Sequence, residues 1–282
     1  MEEFVRSNIG KVPYRCDYDR RNQRTVILLS GTGGDYSEWN DTRPYEFFRL
    51  HVLKDWKDGR QYLRRVKKGK LNFQKRLAES GCNVLSYTPF EYINMVAEEQ
   101  NRRYTRVEPN RYFFDVDQMC FTLKLLLFKL ALRPPYTLVG FSEGGWRALV
   151  FADHLKSRVD RCVLIDPQRH QRTTPENTGS YAAYQALTEA TLKTAEDGVA
   201  FYKYQNLIRK YKLPIVNRTP ITIFLNVMPE RAAHDAEFAH KVNRSFVNTT
   251  WHTYLDQIHA LHHLYFDDII GAILAPIRKP LR

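Results

Sequence analysis

The chain has 282 residues, 43% of them apolar, and a formal net charge of +12 at pH 7. Such a chain can bury one sizeable core, so the composition excludes a disordered protein and favours a single domain over residues 1–282. The basic charge suits a plain soluble surface, and it also suits an anionic partner such as an acidic lipid surface, a polyanion or a negatively charged substrate.

The N-terminal segment and the cysteines bear on location and cofactors. The start, MEEFVRSNIG, lacks the apolar stretch of a secretory signal, and no run approaches the roughly 20 apolar residues of a membrane span. We therefore expect an intracellular, cytoplasmic protein.

The wide spacing of Cys16, Cys82, Cys120 and Cys162 gives no metal signature and no disulfide framework, so we expect no metal and no cofactor. The last three cysteines are expected to be core thiols.

Short apolar runs with turn residues on both sides predict strands buried in a parallel sheet. They cover residues 26–29, 82–87, 136–139, 161–165, 221–225 and 249–255. Helix-like segments lie between them, roughly at residues 71–80, 114–132, 144–155, 235–243 and 261–274. Residues 13–20 are expected to add an antiparallel edge strand or hairpin. The alternation predicts an α/β fold with a mostly parallel central sheet and helices on both faces.

Two stretches, residues 35–69 and 168–218, are longer than the spacing of strands and helices requires. Both are expected at the strand ends, where α/β folds place their sites. The first leads into a basic cluster that consists of Arg60, Arg64, Arg65, Lys67, Lys68 and Lys70. The basic cluster (residues 60–70) is most simply a solvated face, and the sharper alternative is a landing site for an anionic lipid or nucleic acid.

The strongest chemical signal is the pattern G-x-S-x-G, formed by Gly140, Ser142 and Gly144. By itself the pattern arises by chance, but here an apolar strand precedes it and a helix with apolar Trp146 and Leu149 follows. This strand–turn–helix setting is the one that a nucleophile elbow requires. The glycines leave room for the strand and the helix to pass closely. The turn therefore raises the Ser142 hydroxyl above the sheet at a helix N-terminus.

With these features the sequence resembles the α/β-hydrolase family of serine hydrolases, from the strand at Val26 to the final helix. The resemblance implies that Ser142 attacks an ester-like bond, in a carboxylic ester or a lipid, and forms an acyl-enzyme. A Gly-rich loop after an early strand supplies an oxyanion donor in this family, and here Ser30 stands where His is common. The backbone N–H groups of Thr32 and Glu143 would then form the oxyanion hole.

The resemblance places the general base after the last strand, where three histidines occur. His259 is the first choice because a short loop separates it from the strand and it precedes the closing helix. His262 and His263 lie at the start of that helix, where a surface or capping role is commoner. The spacing H-x-x-H-H lacks the Glu of the H-E-x-x-H zinc motif, which disfavours a metal site.

The acid of the triad has three candidates. Glu230 lies in the loop after the strand at 221–225, at the position that the resemblance implies, although Asp is commoner there. Asp235 follows in the next helix. Asp166 is the third candidate, because it ends the preceding strand, but Asp-Pro also commonly starts a simple turn.

Three functions compete on this evidence. The first is a serine esterase, lipase or related hydrolase acting on a small-molecule ester or lipid, with acyl transfer left open. The second is a binding or receptor protein that keeps the fold without catalysis. The third is a basic scaffold that binds polyanions through the basic cluster. The sequence fixes neither the substrate nor the oligomeric state.

Residues 168–218 resemble the cap that the family places over its active site, and aromatic residues recur in them at helical spacing. If this segment closes the cleft above Ser142, it selects which acyl chains enter. We therefore expect Tyr184→Ala or Phe201→Ala to change the acyl-chain preference of ester turnover while Ser142 still reacts with a fluorophosphonate. An unchanged preference in both variants would exclude the cap role.

Overall fold

The computed structural model of the chain describes residues 3–7, 10–31, 39, 71–89, 116–167, 213, 217–227, 232–255 and 261–276. The candidate residues Thr32, Glu230 and His259 lie outside this described part. So do the basic cluster and almost all of the stretch at 168–218.

The strands of the described residues form one eight-stranded sheet in the order β1-β2-β4-β3-β5-β6-β7-β8. Neighbouring strands from β4 to β8 are parallel, whereas β2 runs antiparallel to both β1 and β4. The strands are β1 (Glu3–Ser7), β2 (Gly10–Asp17), β3 (Arg24–Leu29), β4 (Cys82–Tyr87), β5 (Tyr136–Phe141), β6 (Val159–Ile165), β7 (Ile221–Asn226) and β8 (Thr249–Tyr254).

Helices cover both faces of this sheet. The described helices are α1 (Phe73–Glu79), α2 (Val116–Lys129), α3 (Glu143–Leu155), α4 (Ala232–Ser245), α5 (Leu261–Leu264) and α6 (Phe266–Leu274). One hydrophobic core joins α2, α3 and α4 to the sheet, and a second core joins α1 and α6 to its other face. Successive strand residues alternate between the two cores, as Ile27 and Leu28 do. The predicted α/β class is confirmed. None of the described helices has the length and apolarity to cross a bilayer.

The predicted strands are confirmed, with small differences at their ends. The hairpin expected near residues 13–20 is the pair β1–β2, whose first strand the sequence did not reveal. The run at 249–255, in which apolar residues only partly alternate, forms β8 at the sheet edge, where its side chains are half-buried or exposed. The predicted helix at 261–274 is divided at Tyr265 into α5 and α6.

Two arginines at the opposite end of the sheet from Ser142 hold the C-terminal helix. Arg24 on β3 and Arg161 on β6 flank the buried carboxylate of Asp160, with Nε–Oδ2 distances of 4.0 and 3.7 Å. The last carbonyls of a helix have no partner within it, and cations there complement the helix dipole. The two guanidinium groups donate at 3.0–3.2 Å to the carbonyl oxygens of Ala272, Ile273, Ala275 and Pro276.

Candidate active site

Ser142 lies at the junction between β5 and α3, with φ 53° and ψ −119°. A residue with a side chain rarely adopts positive φ, so the surrounding structure must impose this conformation. Backbone hydrogen bonds of 3.0 Å fix it on both sides. The Ser142 N–H donates to the Ile165 carbonyl, and the Ser142 carbonyl accepts from the Gly145 N–H. The residue is buried, with 7% of its surface exposed.

The positions around Ser142 require glycine because a Cβ there would clash with neighbouring atoms, not because the backbone needs to be flexible. A Cβ on Gly140 would lie 2.2 Å from the Gly144 carbonyl oxygen, and a Cβ on Gly144 would lie 2.1 Å from the Leu29 carbonyl oxygen. A Cβ on Gly145 would meet the Cβ of Pro167 at 2.7 Å. Only hydrogen fits at these positions, which is how α3 can begin directly above β3 and β5.

The loop after β3 starts beside the candidate nucleophile. Ser30 is fully buried, and a Cβ on Gly31 would lie 3.2 Å from the Cβ of Ser142. The backbone that leads to Thr32 therefore passes next to Ser142, where an oxyanion donor would be needed.

A buried ion pair lies in the first turns of α3. Arg147 has no exposed surface, and its guanidinium Nη2 lies 3.1 Å from Oε1 of Glu143, which is 2% exposed. Nη1 of the same guanidinium donates to the Ser30 carbonyl across 3.4 Å. Sequence reasoning named Glu143 for its backbone N–H only and missed Arg147. The i, i+4 spacing of opposite charges beside the G-x-S-x-G pattern was the available signal.

Two of the three candidate acids lie among the described residues. Asp166 follows β6, has φ 38° and is fully buried. Its N–H donates to the Phe224 carbonyl at 2.6 Å, and its Oδ1 accepts the Asn226 N–H at 3.1 Å. Asp166 is thus adjacent to the elbow, since β5 and β6 are neighbours. Asp235 is buried in the first turn of α4, one turn before Phe238, which packs on Trp146 of α3.

The structure places His262 in the core, so the expected surface or capping role is wrong. His262 is 2% exposed in α5, and its ring lies among those of Phe141, Trp39 and Phe73, at centroid distances of 4.4, 5.6 and 6.1 Å. The reason is that α5 packs against the sheet beside β7, with the His262 ring against Phe141 at the end of β5. In the sequence, His259 lies between β8 and α5, and His262 of α5 contacts Phe141, the residue before Ser142.

The thiols of the described core are poor alternatives to the serine. Burial is the main cause that raises the pKa of Cys16 to about 12, and burial likewise raises the pKa values of Cys82 and Cys162. Thiolate is the nucleophilic form of cysteine, so burial disfavours the reactive form of these three side chains. No group of three metal-binding side chains converges within the described part of the chain.

The fold and the elbow thus define a layered α/β protein with a strained serine at the carboxyl end of a central strand. No family model matches the sequence, and no curated protein matches it.

Solved structures do match over nearly the whole length. A carboxylesterase from the thaumarchaeon Nitrososphaera gargenis is 14% identical, with 96% of this chain and 97% of that chain covered and a TM-score of 0.59. MGS-MChE2, an α/β-hydrolase enzyme from a sediment metagenome of the Mar Chica lagoon, is 14% identical, with 96% of each chain covered and a TM-score of 0.57. An AqdC variant that cleaves the ring of the Pseudomonas quinolone signal is also 14% identical, with 96% and 100% covered and a TM-score of 0.57. The chain has the α/β-hydrolase fold.

The glycine contacts generate a stability prediction. Gly144→Ala forces a Cβ against the backbone of Leu29, so we expect a loss of about 3 kcal/mol or more in the free energy of unfolding. The matched control is Gly271→Ala, where a Cβ meets nothing within 4 Å on an exposed face of α6, and there we expect a gain of about 0.5–1 kcal/mol. Thermal unfolding of the two variants checks both. Equal midpoints would contradict the close approach at Gly144.

Proposed function

We propose that the chain is a serine hydrolase that cleaves an ester-like bond through Ser142. The observation that carries the proposal is the backbone of Ser142, held at positive φ between a strand and a helix by glycines that nothing larger can replace. Strain of this kind persists where a site requires it. Structural neighbours that are esterases and hydrolases support the same chemistry.

In the proposed reaction, the Ser142 hydroxyl oxygen attacks the carbonyl carbon of the substrate. His259 takes the hydroxyl proton and then donates it to the leaving alcohol. The carbonyl oxygen becomes an oxyanion between the N–H groups of Thr32 and Glu143. Glu143 begins α3, where the helix dipole favours negative charge. Water then attacks the acyl-enzyme and restores Ser142, and an alcohol in place of water would give acyl transfer.

The acid remains a choice between Glu230, Asp235 and Asp166, whose task is to orient His259. Asp166 already accepts the Asn226 N–H through Oδ1 and so links the ends of β6 and β7. A carboxylate has further acceptor sites, so this bond does not prevent a second one to an imidazole. We keep Glu230 first because it comes shortly after β7 in the sequence, and the carboxyl ends of β7 and β5 lie at the same edge of the sheet.

The proposed substrate is a small-molecule ester or lipid, and the stretch at 168–218 is proposed as the cap above it. The basic cluster at 60–70 is proposed as an additional contact with anionic surfaces. A ring-cleaving protein stands among the structural neighbours, so the fold alone leaves the reaction open. The proposal rests on the serine rather than on the neighbours.

The first functional test removes the nucleophile. We expect Ser142→Ala to abolish labelling by a fluorophosphonate and turnover of p-nitrophenyl esters, since no other described hydroxyl lies at an elbow. Circular dichroism should show an unchanged fold. Ser80→Ala, at the exposed end of α1, is the control and should label like the parent protein. Undiminished labelling of the Ser142 variant would refute the assignment.

The second test separates the histidines. His259→Ala should lower kcat by at least ~10³-fold at a nearly unchanged thermal midpoint, because triad members act as a unit. His262→Ala should instead lower the thermal midpoint, since it empties a buried site among aromatic rings. His240→Ala, exposed on α4, is the control for both readouts. Near-parental kcat in the His259 variant would show that the base lies elsewhere.

A further inference from the structure

Three groups link the elbow to the loop after β3, and we call them the Arg147 bridge: the Glu143 carboxylate, the Arg147 guanidinium and the Ser30 carbonyl. The distances are 3.1 Å from Nη2 to the carboxylate and 3.4 Å from Nη1 to the carbonyl. Arg147 is completely buried and Glu143 nearly so. The bridge therefore spans the two segments that are proposed to supply the oxyanion donors.

Stability alone is a weak reason for such a pair. Burial removes two charges from water, and the cost of that desolvation roughly cancels their attraction, so apolar residues of similar size often serve a fold as well. Apolar residues, however, make no directional hydrogen bonds. A guanidinium presents several N–H donors in one rigid plane, so it fixes the relative positions of two acceptors at once.

The position of the Ser30 carbonyl affects the backbone next to Ser142. It belongs to the peptide that joins Ser30 to Gly31, and a Cβ added at Gly31 would lie only 3.2 Å from the Cβ of Ser142. Peptide groups are planar, so fixing this carbonyl also fixes the N–H of Gly31 and the direction in which the chain leaves toward Thr32. The glycine at position 31 adds backbone freedom that some contact must restrict.

We infer that Arg147 is a positioning residue, which holds the start of the oxyanion loop in register with Ser142 through the Ser30 carbonyl. This inference rests on the proposed function for its effect on catalysis. Its structural part, the restraint on residues 30–31, holds whatever the reaction is.

The test uses the double variant Glu143→Gln/Arg147→Met, which removes both charges together and leaves neither buried alone. The control is Glu237→Gln/Lys241→Met, which removes an exposed pair of the same spacing on α4, where Nζ and Oε1 lie 2.7 Å apart. Amide hydrogen exchange is read on a peptide that covers residues 28–34. We expect about tenfold faster exchange there in the first double variant, an unchanged rate in the control, and thermal midpoints close to the parent in both.

The catalytic part is read on p-nitrophenyl butyrate and on a trifluoromethyl ketone, whose adduct with serine carries an oxyanion. We expect kcat to fall about 10- to 100-fold in the first double variant with KM changed less than about threefold. The Ki of the ketone should rise by a similar factor. Arg147→Lys keeps the charge but lacks the planar set of donors, so its thermal midpoint should stay close to that of the parent while its kcat stays lowered.

The outcomes separate the two proposals. A parent protein that neither labels nor turns over ester defeats the proposed function, and the exchange experiment still decides the positioning role. A stable double variant with parental exchange, kcat and Ki overturns the inference. Loss of folding in both the double variant and Arg147→Lys also overturns it, because the bridge would then hold the fold rather than the loop.

Discussion

The geometry at the carboxyl edge of the sheet depends on how closely three backbone segments approach at Gly144. The Leu29 carbonyl oxygen occupies the space that a Cβ would need, and the same is true of Gly140 toward Gly144. Because hydrogen alone fits there, α3 begins immediately above the ends of β3 and β5. The turn between strand and helix is then very short, and Ser142 in this turn has a positive φ angle. One packing constraint thus sets both the exposure of the hydroxyl and the path of the loop beside it.

The distribution of strained residues supports this reading. Four described non-glycine residues have positive φ, namely Ala131, Ser142, Lys156 and Asp166. Ala131 follows the end of α2, and Lys156, with φ 49° and ψ −125°, follows the end of α3 and opens the short 3₁₀ helix Lys156–Arg158. Ser142 and Asp166 instead follow the adjacent strands β5 and β6 at the same edge of the sheet. Glycine would remove the strain at either place, but it would also remove a hydroxyl or a carboxylate.

Much of the fold was predictable because a parallel sheet buries both faces of its strands. Continuous apolar runs such as Cys82–Tyr87 therefore matched the observed strand bounds. The strands at the two edges of the sheet were harder to predict. Strand β1 at Glu3–Ser7 has mixed polarity because only part of it is covered, and β8 alternates between half-buried and exposed side chains for the same reason. His262 was misplaced because spacing along a helix does not reveal which face a short helix turns inward.

Some features of the candidate site depend on residues that are close in the sequence, and others depend on contacts between distant residues. The elbow is local, since its glycines, strand and helix lie within residues 136–155, so the sequence was sufficient to place Ser142 between β5 and α3. The structural roles of Asp166 and Arg147 depend on contacts with Asn226 and Ser30, respectively. These partners are 60 and 117 residues away along the chain, so the local sequence did not reveal them. At 14% identity the structural neighbours share the fold over nearly the whole length. A fold shared at this identity describes the backbone path, whereas the polar contacts around Ser142 are known from this chain alone. The Arg147 bridge is a contact of this second kind, and the role that we infer for it rests on its own charge, burial and distances.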